Sequence, residues 1–129
     1  MRINYDCIRD ILICLEDIIV LNDDLISEDI DISTLCKELP DYSKQEIAYA
    51  AKMLSQAEYI EAGYSYANGV LAYLVISDIT FSGHKYLETV RNSKFWEELK
   101  STLRSKSIEL SIDAILLAAK TAIQSNLIS

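Results

Sequence analysis

The sequence predicts a mainly α fold with a small β-hairpin, an α+β class, on three observations. Two helical apolar stripes meet at a three-residue turn, an Asn-Gly pair then lies between two β-rich runs, and three further helical stripes fill the C-terminal part. A helix-turn-helix followed at once by a hairpin is the order of a winged helix. Residues 1–80 therefore read as a winged helix-turn-helix core with its wing at about 58–76, and residues 81–129 as C-terminal helices added to the same domain.

Ile8, Ile11, Leu12, Leu15, Ile18 and Ile19 share one face, which predicts a helix from about Asn4 to Leu21. Asn4 is its N-cap, Asp6 sits at the positive end of the dipole, and Asn22-Asp23-Asp24 stops it. Ile30-Asp31-Ile32 alternates like a short strand. Ser33 is expected to cap a brief helix, Thr34 to Leu39, ended by Pro40. Ser43 opens a capping box with Glu46, and the helix it starts runs to about Ala57 with Ile47, Ala50, Ala51 and Leu54 inward.

Glu58 to Tyr66 and Val70 to Ile76 are the β-rich runs, and Asn68-Gly69 between them accepts the positive φ a tight hairpin requires. Thr80 is expected to cap a helix from Phe81 to Asn92. Another spans Ser93 to about Ser105, on the stripe Phe95, Trp96, Leu99 and Leu103. The last is expected from Ile108 to Asn126, on Ile108, Ile112, Ile115, Leu116, Ala119 and Ile123. Leu110, Leu117 and Ala118 lie off that stripe, so its apolar surface is wider than one core face. A homodimer through this helix is expected, with Ile112, Ile115, Leu116, Leu117 and Ile123 as its candidate residues.

Half of the 129 residues are apolar and a quarter charged, as in one globular domain. No run reaches the roughly 18 apolar residues of a membrane span, so no membrane partner is expected. Met1 to Asp10 carries acids among its apolar positions, unlike a secretory signal, and the expectation is a cytoplasmic protein. Cys7 and Cys14 lie about 10 Å apart along a helix, and Cys36 is alone. Small core residues in a reducing compartment fit this better than a disulfide or zinc.

The net charge of −8 is local. Residues 1–41 hold eleven acids against Arg2, Arg9 and Lys37, whereas residues 42–129 hold nine of each sign. The acidic surface of Asp23, Asp24, Glu28, Asp29 and Asp31 lacks the glycine and spacing of an EF-hand, so no metal is expected there. Gly63, Gly69 and Gly83 are too scattered to cradle phosphate. His84 is the one histidine, at the edge of an apolar helix face, with no nucleophile motif near it. Neither catalysis nor a cofactor is expected.

Thr80, Phe81, Gly83-His84, Tyr86 and Leu87, then Arg91-Asn92 and Trp96, form the most specific pattern in the chain. It resembles a family of small uncharacterised winged-helix proteins of bacterial prophages and mobile elements, related to YjcQ-like proteins. Gln45 to Tyr49 and Met53-Leu54 are similar to that family's central helix, and the likeness extends from about Ile8 to Ile123. The chain has Glu58 where the family tends to have glycine after that helix, and Ala50 where it usually has histidine. The resemblance implies a fold and a phage-type context, not an activity.

Two partner classes stay open. Gln45, Tyr49, Lys52 and Gln56 follow one outward helix face with Lys44 beside them, the chemistry a DNA-reading helix uses. The wing argues otherwise, since Gly63 to Tyr73 holds no lysine or arginine and offers Tyr64, Tyr66 and Asn68. Tyrosine among small polar residues favours protein contact. The main basic cluster, Lys85, Arg91, Lys94, Lys100, Arg104 and Lys106, is set against Glu88, Glu97 and Glu98 and reads as a salt-bridged surface. A non-catalytic module contacting a protein is expected, with a dimeric DNA-binding regulator as the alternative.

Overall fold

Asn4 caps the first helix as its side chain predicts, its Oδ1 accepting the Cys7 N–H at 3.1 Å. The helix, α1, runs Tyr5–Ile18 in the computed structural model, which describes residues 1–128, with side chains through Ser125. It buries Cys7, Ile8, Ile11, Leu12 and Leu15. It ends three residues short of the expected Leu21 because the chain turns extended at Ile19 and Leu21 forms an isolated antiparallel bridge with Ser27. The Asn22 side chain closes this loop by accepting the N–H groups of Asp24 and Ile26 at 2.9 and 3.0 Å.

Strand β1 is Ile30–Asp31, and helix α2 spans Ile32–Glu38. Its cap is Asp31, not the expected Ser33: Asp31 Oδ1 accepts the Thr34 N–H at 2.8 Å and the Thr34 hydroxyl at 2.9 Å. A carboxylate two residues earlier is the stronger acceptor at a helix N-terminus. Helix α3, Lys44–Gln56, carries the predicted capping box and buries the four predicted residues, Ile47, Ala50, Ala51 and Leu54. Asn4 Nδ2 donates to Glu46 Oε2 at 2.9 Å, which ties the cap of α1 to that of α3. Tyr42 donates to Asp10 at 2.6 Å and ties down the turn between α2 and α3.

The end of α3 is a Schellman motif with a glutamate at its left-handed position. Glu58 has φ +63°, its N–H donates to the Ser55 carbonyl, and the Tyr59 N–H donates to Leu54, both at 3.0 Å. Strands β2 (Ile60–Ala67) and β3 (Val70–Ile79) then form the hairpin. Its turn, Asn68 at φ +53° and Gly69 at φ +79°, matches the sequence expectation. The sheet is antiparallel in the order β1-β3-β2.

The register steps twice, leaving Ala72 and Ser77 as extra residues of β3. Each bulge reverses the alternation, so Leu74, Ile76 and Ile79 are all buried although their spacing is uneven.

Helix α4 spans Phe81–Val90 and ends before the expected Asn92, which instead caps α5 (Ser93–Ser105) by accepting the Phe95 N–H at 2.9 Å. Helix α5 buries Trp96, Leu99 and Leu103. Ser107, at φ +57°, closes it, with the Ile108 N–H donating to Leu103 at 2.9 Å. Helix α6, Ile112–Ile128, starts four residues later than expected because Ser111 caps it, accepting the Ala114 N–H at 3.0 Å. Ile108 and Leu110 therefore belong to the connection, not to the helical stripe. The chain divides into two compact units, Met1–Lys85 and Tyr86–Ser129. Among the described residues, no helix is long and apolar enough to cross a membrane.

Candidate interaction surface

The two halves of the expected recognition face lie on α3 and the hairpin, and one contact joins them. Lys52 Nζ sits 5.1 Å from the centre of the Tyr66 ring, and Tyr64 meets Tyr66 edge-on at 6.3 Å between centroids. Such a cation–ring contact stabilises by about 0.5–1 kcal/mol at an exposed site. The Tyr66 hydroxyl beside it raises Lys52 above the ordinary lysine value, against a smaller opposing effect of burial. This cation, the central one of the α3 face, is engaged with the hairpin.

Lys44, Gln45 and Gln56 are exposed on α3, and Tyr49 is half-buried. Lys44 and Gln45 line a groove of about 710 Å³ together with Ile32 and Cys36 of α2 and the β3 residues from Val70 to Val75. β1 pairs with β3 only at Val75 and Ile76. From Val70 to Leu74, the β3 edge away from β2 has no strand partner among the described residues. Val70 is 65% exposed and Tyr73 50%, and the Tyr73 ring lies 3.6 Å from where a Gly63 side chain would begin. No lysine or arginine occurs between Lys52 and Lys85, so the hairpin carries no cation.

Asn68 is exposed in the turn, and Tyr64 and Tyr66 of β2 are exposed as well. Val70 and Tyr73 were not among the expected site residues. Tyr73 alternates with buried Leu74, whereas Val70 lies beyond the bulge at Ala72, for which the sequence carries no signal.

The acidic residues Asp23, Asp24, Glu28, Asp29 and Asp31 are all exposed. Asp31 is held below the usual carboxylate range chiefly by the Thr34 backbone N–H, in keeping with its capping role. The loop also exposes Val20, Leu21, Leu25 and Ile26, each more than 60% accessible, with Leu25 at φ +63°. Val20 and Leu21 fall in the expected helix and are exposed because α1 stops at Ile18, whereas Leu25 and Ile26 belong to the turn, which helical periodicity does not describe.

Cys7, Cys14 and Cys36 are free thiols. Burial, more than the acids around them, pushes Cys7 up to about 12 and Cys14 to about 11, so both are protonated and unreactive near neutrality. Among the described residues, no group of three or more His, Cys, Asp and Glu side chains is placed to hold a metal ion.

Of the expected dimer residues, Ile115 is fully buried, Ile112 and Leu116 are half-buried, and Leu117 and Ile123 are exposed at 67% and 49%. In the basic cluster, Lys100 pairs with Glu97 at 3.2 Å and lies 5.4 Å from the Trp96 ring centre.

The Thr80-to-Gly83 pattern, the sharpest in the sequence, has a structural explanation. The Thr80 hydroxyl donates to the Glu58 carbonyl at 2.6 Å and accepts the Gly83 N–H at 3.1 Å, while the Thr80 N–H donates to Tyr59 at 3.0 Å. A Cβ on Gly83 would lie 2.0 Å from the Tyr59 carbonyl oxygen. The pattern locks the start of α4 onto the end of α3.

The sequence model of the family described as Hypothetical protein (DUF2513) matches residues 2–109. The chain belongs to this family. The DUF2513 match takes in the α3–hairpin surface and the Thr80–Gly83 lock, and it stops short of α6. An uncharacterised protein of Haemophilus influenzae is 34% identical over 124 residues, covering 95% of this chain and 96% of its own length. No solved structure matches the chain significantly. The resemblance to an uncharacterised family is thus upheld at the level of DUF2513.

Proposed function

We propose that this DUF2513 protein is a non-catalytic winged-helix module of phage or mobile-element type that contacts a protein partner through the groove between α3 and the hairpin. The winged-helix reading is supported by the element order from α1 to β3 and by the sheet order β1-β3-β2. One observation carries the protein reading: the β3 edge from Val70 to Leu74 is open along a groove, in a hairpin without a cation. An extended segment of another protein adds to such an edge by main-chain hydrogen bonds, with side chains such as Tyr73 and Val70 supplying selectivity. A wing that met DNA would need positive charge to neutralise phosphate.

A DNA-binding regulator is the second reading, favoured by the exposed Lys44, Gln45 and Gln56 on α3. Two affinity measurements separate them. The protein reading expects a partner retained by the wild-type chain and lost with Val70→Lys, because lysine on an edge strand opposes strand addition. It also expects no salt-sensitive binding to duplex DNA flanking its own gene. Specific DNA binding that weakens with salt and vanishes in Lys44→Glu plus Lys52→Glu would establish the alternative instead.

A further inference from the structure

Helices α5 and α6 bound a second groove, of about 380 Å³, that lies wholly within the Tyr86–Ser129 unit. The short connection from Lys106 to Ser111 turns the chain back, so α6 runs antiparallel to α5. Ala114 and Ala118, four residues apart on one side of α6, leave a trough, and Leu117 stands at its rim. Leu117 is 67% exposed and Ile108, which lines the same groove, 45%, so the groove carries contiguous apolar surface.

The charges along this groove bear on what would cover it. Glu98 and Lys106 both line it, and both are exposed. They lie eight residues apart on α5, about 12 Å along its axis, with Thr102 midway. Among the described side chains neither makes an ion pair. A two-fold axis through Thr102 exchanges the ends of the groove, so Glu98 of each copy meets Lys106 of the other. In that arrangement both ion pairs would form together, and the trough of each copy would receive the Leu117 side chain of its neighbour. A fatty acyl chain would leave Glu98 at one end without a counter-charge.

We propose that the α5–α6 groove is the interface of a two-fold homodimer, closed by reciprocal Glu98–Lys106 pairs around Leu117. This does not depend on the partner proposed for the α3–hairpin groove.

Sedimentation equilibrium of the full chain tests it. The wild type is expected at twice its 14.6 kDa mass. Leu117→Glu is expected to be monomeric and to keep the native circular-dichroism spectrum, since the side chain is mostly in solvent, with a melt lowered only by the lost association. Glu98→Lys and Lys106→Glu each turn two attractions into repulsions, and each is expected to weaken dimerisation about tenfold. The double variant Glu98→Lys/Lys106→Glu restores both pairs with their polarity reversed, and its dimerisation constant is expected to return to within about threefold of wild type. A monomeric wild type at about 50 μM would overturn the proposal, since specific dimers assemble well below that concentration. So would a dimer indifferent to Leu117→Glu, or a double variant no tighter than either single one.

Discussion

The two ends of β3 make opposite use of the same strand. At Ile79 the strand is buried and runs into the lock formed by Thr80, Gly83, Glu58 and Tyr59. At Val70 it is exposed, has an open edge, and carries aromatic surface in place of charge. The end with the sharpest sequence pattern serves folding, and the end without one is the surface proposed to meet a partner. The sharpest sequence pattern is thus a guide to architecture here, and the proposed docking surface rests on exposure and unpaired backbone.

Substitutions should separate the two ends, beginning with the largest effect. Gly83→Ala places a methyl 2.0 Å from the Tyr59 oxygen, so α4 must move or the seam must open. A loss of about 3 kcal/mol or more is expected by denaturant titration, enough to leave little folded protein in a small domain. Thr80→Ala removes the donor to Glu58 and the cap of Gly83, and about 1–2 kcal/mol should go with it. Tyr73→Ala at the open end should cost about 1 kcal/mol or less, mainly its packing on Gly63, while lowering partner affinity at least about tenfold. Equal stability losses at Tyr73 and Gly83 would erase the distinction between the ends.

Glu58→Gly sharpens it from the other side. The glutamate holds a left-handed conformation that glycine adopts without strain, so the substitution should stabilise by about 1 kcal/mol and leave partner binding unchanged.

The smallest effect is in the pH dependence. Hydrogen bonding, first from Asn4 and then from Ser43, holds Glu46 below its ordinary value of 4.5. Because the folded value is depressed, the contribution is full above 4.5 and disappears as pH falls through the lowered folded value. Asn4→Ala should therefore lower the thermal midpoint more at neutral pH than at about pH 3, where protonation weakens the same contact.

Much of this architecture was legible because it rests on local chemistry. The Asn4 cap, the Ser43–Glu46 box and the Asn68-Gly69 turn each depend on residues within three positions of one another. The errors came where a distant or competing group decided the outcome. α1 stops at Ile18 because Leu21 bridges Ser27, and α6 waits for Ser111 because Ser107 first closes α5. The site was legible in its residue types but not in its grouping. Lys52 reads as a free cation in sequence, and only the fold sets it against Tyr66. Val70 emerges only after the bulge at Ala72 shifts the alternation.

The central claim is that the open end of β3 recognises a protein and does little for folding. Parallel affinity capture from host cells with the wild type and a Val70→Lys/Tyr73→Ala variant, with thermal melts of both, tests it most directly. A protein is expected to be retained by the wild type and lost by the variant, with midpoints within a few degrees, as about 1 kcal/mol implies. Retention of the same protein by both chains, or recovery of duplex DNA as the bound species, would contradict it.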